Sequence, residues 1–122
     1  MIDCHKVIVK DAGVKGLGAF AKYKIKKNEL VEKGVMVPID IDGHKNTHVF
    51  TWSDDKKIWA FGSGCSTFYN TSKSPNCEMR RFYDLNRFEI YALEDIGEGD
   101  ELTHRYQSLE WRDAFNNLNK EL

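Results

Sequence analysis

The 122-residue chain lacks most of what would place it in a specialised class. No apolar run approaches the roughly 20 residues a membrane-spanning helix needs, and the opening Met1-Ile2-Asp3-Cys4-His5-Lys6 has no signal-peptide core. Neither sign of charge is in excess: 18 Lys and Arg against 19 Asp and Glu leave a formal net charge of −1, with no general pull toward nucleic acid. The expectation is a protein of the cytoplasm or a host nucleus that touches neither membrane nor nucleic acid directly. Cysteine is scarce and odd in number. Cys4, Cys65 and Cys77 offer no CxxC or CxC spacing, so they are expected to be free thiols, with neither a disulfide framework nor a bound metal. Regular helical periodicity is also missing until the last fifteen or so residues.

What remains is a soluble-type composition, 41% hydrophobic and 30% charged, enough for one domain over residues 1–122 with a core of moderate size. Short apolar runs separated by Gly, Asn and Asp point to a mainly β fold. Lys6–Val9, Glu29–Val31 and Val35–Val37 before Pro38 have the length and β-branched content of strands, and Phe88, Ile90 and Ala92 alternate with Arg87, Glu89 and Tyr91. Trp111, Phe115, Leu118 and Leu122 recur at helical spacing behind a Ser108 N-cap, which predicts a short C-terminal helix. An internal echo joins two regions: Ala21, Ile25, Glu29 and Leu30 reappear as Ala92, Ile96, Glu101 and Leu102, with one extra residue in the second copy. Each copy reads as strand, turn, strand.

Two stretches are hard to explain as core: Tyr69-Asn70-Thr71-Ser72-Lys73-Ser74-Pro75-Asn76-Cys77, and Glu101-Leu102-Thr103-His104-Arg105-Tyr106. With Gly16-Leu17-Gly18-Ala19-Phe20-Ala21 and Ile25-Lys26-Lys27-Asn28-Glu29-Leu30 they resemble the SET domain, the fold of most protein-lysine methyltransferases. The family pattern NHSxxPN reads here as Asn70-Thr71-Ser72-x-x-Pro75-Asn76, and G-(D/E)-E-L-T-x-x-Y as Gly99-Asp100-Glu101-Leu102-Thr103-x-x-Tyr106. The chain looks like the short stand-alone SET proteins of viruses and microbes. The usual His after the first Asn is Thr71 here, the usual Asp before the Tyr is Arg105, and the cysteine-rich zinc tail of larger relatives is missing.

The resemblance implies a β-clip type fold of short strands in which the Tyr106 segment passes through the Asn70–Asn76 loop to form a C-terminal pseudoknot, an arrangement rare in proteins generally. It implies an S-adenosylmethionine-dependent protein-lysine N-methyltransferase with Tyr106 as the catalytic residue. Lys15, Gly16, Leu17, Gly18, Asn70, Thr71, Tyr106 and Trp111 would hold the cofactor. Phe68, Tyr69 and Tyr106 would line the lysine channel, with Phe50, Trp52 and Tyr23 as further aromatics within the same region of choice. Asn76 and Pro75 would shape the knot, and His104 would be a surface or capped group. A narrow aromatic channel has a physical purpose. Lysine, with a pKa of about 10.4, must be neutral to attack a methyl group, and desolvation beside a sulfonium disfavours the ammonium form. The partner implied is a protein bearing a target lysine, a histone tail among the candidates, and homodimerisation would cover apolar surface that flanking domains cover elsewhere. Thr71 motivates a competing reading from another class, a SET-like peptide-binding module without methyl transfer. Trp111 also fits plain core filling, because it lies on the helix's apolar stripe.

Overall fold

A computed structural model of the chain describes residues 1–40, 49–53, 55 and 57–105. Among the described residues nine strands follow one another: β1 (Val7–Asp11), β2 (Leu17–Ala21), β3 (Leu30–Ile39), β4 (Phe50–Thr51), β5 (Trp59–Gly62), β6 (Asn70–Thr71), β7 (Cys77–Phe82), β8 (Arg87–Ala92) and β9 (Glu101–His104). They form a four-stranded sheet in the order β1-β2-β9-β6 and a five-stranded sheet in the order β4-β5-β3-β8-β7. The mainly β expectation holds. One core fills the space between the sheets, drawing Val7, Ala19, Ala21 and Leu102 from the first and Val31, Met36, Ala60, Phe88, Ile90 and Ala92 from the second. The predicted C-terminal helix with Ser108 and Trp111, and Tyr106 before it, lies outside the described residues. Among the described residues no helix is long and apolar enough to cross a membrane.

The runs at 29–31 and 35–37, expected as two strands, are one. β3 continues through Gly34, where a Cβ would sit 2.1 Å from the Ser63 hydroxyl and 2.9 Å from the Phe88 ring, so only glycine lets the chain stay extended there. Near its start β3 carries a bulge: Leu30 pairs with Tyr91 but Glu32 with Ile90. The extra residue shifts the alternation, so that Val31 and Glu32 both turn inward at 2% and 1% exposure. A buried carboxyl needs partners, and Glu32 accepts the Tyr69 hydroxyl at 2.8 Å and the Cys65 backbone N–H at 2.8 Å. Burial pushes its carboxyl up to about 7, while those two donors pull the other way.

The internal echo is physical, in a corrected register. The two turns pair with each other through Ile25 and Ile96, which exchange backbone hydrogen bonds of 2.9 and 2.8 Å. Ala21 accepts from Gly99 and donates to Asp100, and Ala92 accepts from Asn28 and donates to Glu29. Glu29 caps the Lys26 N–H as Asp100 caps that of Gly97, at 3.1 and 2.9 Å. Glu29 therefore corresponds to Asp100, not Glu101, and the copies align without a gap. Asn28 and Gly99 occupy the equivalent left-handed positions, at φ of 70° and 86°.

β9 is where the chain's two halves meet. It runs antiparallel to β2, with Ala19 opposite Leu102, and parallel to β6, with Asn70 opposite Thr103. Two residues of parallel ladder are little to hold a loop, and the side chain of Asn76 supplies the rest. Its Nδ2 donates to the Glu101 carbonyl at 2.8 Å and its Oδ1 accepts from the Thr103 N–H at 2.9 Å, so one amide plays the part of a neighbouring strand. This bears on the knot role expected of Asn76. Replacing it (Asn76→Ala) leaves one donor and one acceptor of β9 without that partner; urea unfolding should show a loss of about 2 kcal/mol.

Candidate functional site

The first wall of the site is a turn made by glycines. A 3₁₀ turn at Gly13–Lys15 closes with the Gly16 N–H donating to the Gly13 carbonyl at 3.0 Å, and Gly16 leaves it at φ 81° and ψ −132°, a conformation costly for any residue with a Cβ. Gly18 follows in β2, where a Cβ would lie 2.9 Å from the Glu101 carboxylate and 3.1 Å from the Asn70 amide. The absent side chain lets three strands crowd together: β2 with Gly18, β9 with Glu101 and β6 with Asn70.

Within that cluster each polar group has an assigned neighbour. Asn70 Nδ2 donates to the Leu17 carbonyl at 3.2 Å and to Glu101 Oε2 at 2.8 Å, while the other Glu101 oxygen accepts the Lys15 ammonium. Lys15, Asn70 and Glu101 form a chain of cation, carboxylate and amide along the rim of the Gly16–Gly18 turn. The ion pair is open to water, the two side chains being 39% and 21% exposed, so Lys15 and Glu101 can exchange one another for a charged ligand at modest cost. Leu17 projects from the same rim at 54% exposure.

Of the residues expected to bind cofactor, the structure thus gathers Lys15, Gly16, Leu17, Gly18 and Asn70, while Tyr106 and Trp111 lie outside the described residues. Thr71 sits one position past the rim, and its side chain is buried at 5% exposure. The described aromatics named for the channel occupy different environments. Tyr69 is 1% exposed, with its hydroxyl committed to Glu32, which makes it a core residue on the described part of the fold. Phe50 and Phe68 pack half-buried against the same core. Trp52 is also core, with Nε1–H donated to Asn86 Oδ1 at 3.0 Å and its ring edge-on to Tyr83, whereas Tyr23 is 49% exposed. Glu101 was not foreseen as a site residue. The signal for it was an acidic residue on the strand that opens the second signature, facing a glycine on its neighbour.

His104, expected at the surface, is buried at 2% exposure. It pairs in register with Thr71 across the β6–β9 ladder and meets Tyr69 edge-to-face, with ring centroids 6.1 Å apart. Burial first, and then the Arg81 charge, push the imidazole down to about 3. In the unfolded chain it titrates near 6.5. Between these values the unfolded state holds a proton that the native state does not, so stability is complete above about pH 6.5 and falls as pH drops toward 3. One such site contributes a slope of about 1.4 kcal/mol per pH unit. Denaturant unfolding from pH 7 to 3 should show His104→Leu with a shallower acid loss than the native chain; equal slopes would assign the acid sensitivity to carboxylates alone.

The family model of the SET domain matches residues 16–107. Among solved structures, a Plasmodium falciparum protein assigned to the histone methyltransferases is 26% identical, with a TM-score of 0.69 over 87% of this chain and 96% of that one. The Chaetomium thermophilum Polycomb Repressive Complex 2 in an autoinhibited conformation, bound to S-adenosylmethionine, is 22% identical with a TM-score of 0.70; the match covers 98% of this chain but 16% of that one. A humanized mutant of the same complex, bound to the inhibitor GSK126, is 24% identical with a TM-score of 0.68 over 84% of this chain and 15% of that one. No curated protein matches. Gly16 and Gly18, the Asn70 loop and β9 all fall inside the matched residues, and the chain belongs to the SET domain family.

Proposed function

We propose that this chain is an S-adenosylmethionine-dependent protein-lysine N-methyltransferase. The observation that supports it best is the convergence of the Gly16–Gly18 turn, Asn70 and Glu101, with Asn70 bonded to groups 53 and 31 residues away and Lys15 to one 86 residues away along the chain. A fold without a ligand there has no reason to crowd a carboxylate, an amide and a lysine against a backbone stripped of Cβ atoms. The cluster fits the amino-acid end of S-adenosylmethionine, which carries one ammonium and one carboxylate. Glu101 and the Leu17 carbonyl accept from an ammonium; Lys15 and the Asn70 amide donate to a carboxylate. When bound, the cofactor supplies an electrophilic methyl group on a sulfonium.

The rest is done by the protein. Gly18 keeps the rim open, and Glu101 and Asn70 fix orientation, so that the reacting amine and methyl need only be aligned. Tyr106, two residues past His104 in the sequence, would accept a hydrogen bond from the substrate amine through its hydroxyl, and its ring would exclude water from the ammonium that must be discharged. The substrate class is a protein lysine. The likeness to the Plasmodium protein favours a histone tail among such substrates, and self-association of the chain is part of the reading.

The test is transfer of labelled methyl groups from S-adenosylmethionine to a panel of histones and lysate proteins, with Tyr106→Phe and Gly18→Ala alongside. The native chain should label a protein band, Tyr106→Phe should do so roughly 100-fold more slowly, and Gly18→Ala should lose the cofactor's thermal stabilisation, about 2.7 kcal/mol at a hundredfold excess over Kd. Cofactor stabilisation without label in any arm would favour the peptide-binding module. No stabilisation at all would remove both readings.

A further inference from the structure

On the far side of Tyr69 from the cofactor rim, three potential metal ligands converge from three distant segments: Cys4 before β1, Glu32 in the bulge of β3, and Cys65 in the turn after β5. Their sulfur and carboxylate atoms all lie within 4.8 Å of one another. Each is delivered by specific backbone geometry. Asp3 and Lys33 form an isolated antiparallel bridge, with reciprocal hydrogen bonds of 2.8 and 3.0 Å, which lays Cys4 beside Glu32. The bulge turns Glu32 inward. Gly64, at φ 61°, brings Cys65 past both; a Cβ there would lie 2.5 Å from Glu32 Oε2 and 3.4 Å from Cys4 Sγ. No disulfide joins the cysteines.

We propose that Cys4, Glu32 and Cys65 form a binding site for a thiophilic divalent cation, zinc in the first place, with a solvent molecule completing a tetrahedron. Two thiolates and one carboxylate suit a borderline-soft ion and disfavour magnesium or calcium, which select all-oxygen sites. Zinc–sulfur bonds of about 2.3 Å set tetrahedral ligands somewhat under 4 Å apart, so the three groups need to draw together by about 1 Å at most. The carboxylate is oriented for the task, since the Tyr69 hydroxyl and the Cys65 N–H grip one oxygen each and leave further lone pairs on both. Cys4 and Cys65 are half-buried, which leaves a path for the ion and room for the solvent ligand. Binding displaces to solvent the two thiol protons and whatever proton Glu32 carries, and forms two metal–sulfur bonds and one metal–oxygen bond in place of bonds from the ion to water; no electron is transferred.

The site is distinct from the cofactor rim and the inference rests on no part of the methyltransferase reading. Its reach is still functional. Glu32 holds Tyr69, and Tyr69 leads directly into Asn70, so an ion here would brace the strand that carries the rim amide against β3.

The test uses the whole chain, stripped of metal and kept reduced with a phosphine. Zinc alone should be taken up at one ion per chain in a calorimetric titration and should raise Tm by roughly 10 °C at a hundredfold excess over Kd. Cobalt(II) on the native chain should show thiolate charge-transfer and tetrahedral ligand-field bands, a readout independent of any variant. Cys4→Ser, whose side chain is outside the core, should fold as the native chain does and lose affinity at least tenfold along with much of the charge-transfer band. Cys77→Ser, where it folds, should change neither. Absence of saturable uptake by the reduced native chain, or uptake and cobalt spectrum unchanged in Cys4→Ser, would falsify the site.

Discussion

The rim formed by Lys15, Asn70 and Glu101 depends on one asparagine imitating a strand. β6 offers β9 only two residues of parallel ladder, too little to fix a loop that bridges the sheets. The Asn76 amide adds one donor and one acceptor in the spacing a neighbouring backbone would present, to the Glu101 carbonyl and the Thr103 N–H. Its own backbone carbonyl accepts from Leu93 at 2.8 Å, so the residue is fastened to both sheets at once. The loop from Asn70 to Asn76 is then closed over β9 at its two ends. Asn70 reaches Glu101 because Asn76 has already set the height of the strand beneath it. A longer ladder would do the same with more backbone, but would leave no side chains free at the rim.

A second constraint works on the other sheet. By inserting one residue into β3, the bulge at Val31 converts a surface glutamate into the partner of Tyr69 and of the Cys65 backbone. Burying a carboxyl costs several kcal/mol unless it is well bonded, and here that cost is met by two donors from a single segment, residues 65 to 69. The result is that the turn preceding β6 is anchored from below by Glu32, as the loop following it is anchored by Asn76. The rim residue Asn70 lies between two anchors, neither of which touches it directly.

How much of this was legible in the sequence follows from which forces act locally. Gly16, Gly18, Asn70 and Asn76 were legible through their resemblance to the SET family pattern, and such a pattern persists because turns and strand-pairing loops demand particular residue types at fixed spacing. The strands could be read where alternation is regular, as in β8. Alternation fails at a bulge, so Glu32 gave no sign of being internal, and β3 looked like two strands because Gly34 suggested a break where it in fact permits close packing against Phe88. Glu101 was hidden because its role depends on which strand lies beside β9. The echo was visible through its isoleucines, but its register was misjudged by one residue: Glu101 looks like Glu29 by type, whereas Asp100 matches it by capping the turn. Chemistry of the side chain misled where geometry of the backbone decided.

The Thr71–His104 pair shows how a departure from a family pattern can be a matter of packing. Residues in register on adjacent strands present their side chains to the same face, and both of these are buried. His104 on β9 stands opposite Thr71 and sets its ring edge-to-face against Tyr69. The side chain of Thr71 also points into the core, away from the rim where Lys15, Asn70 and Glu101 meet. The exchange therefore falls on core packing, where Thr71 is buried at 5% exposure.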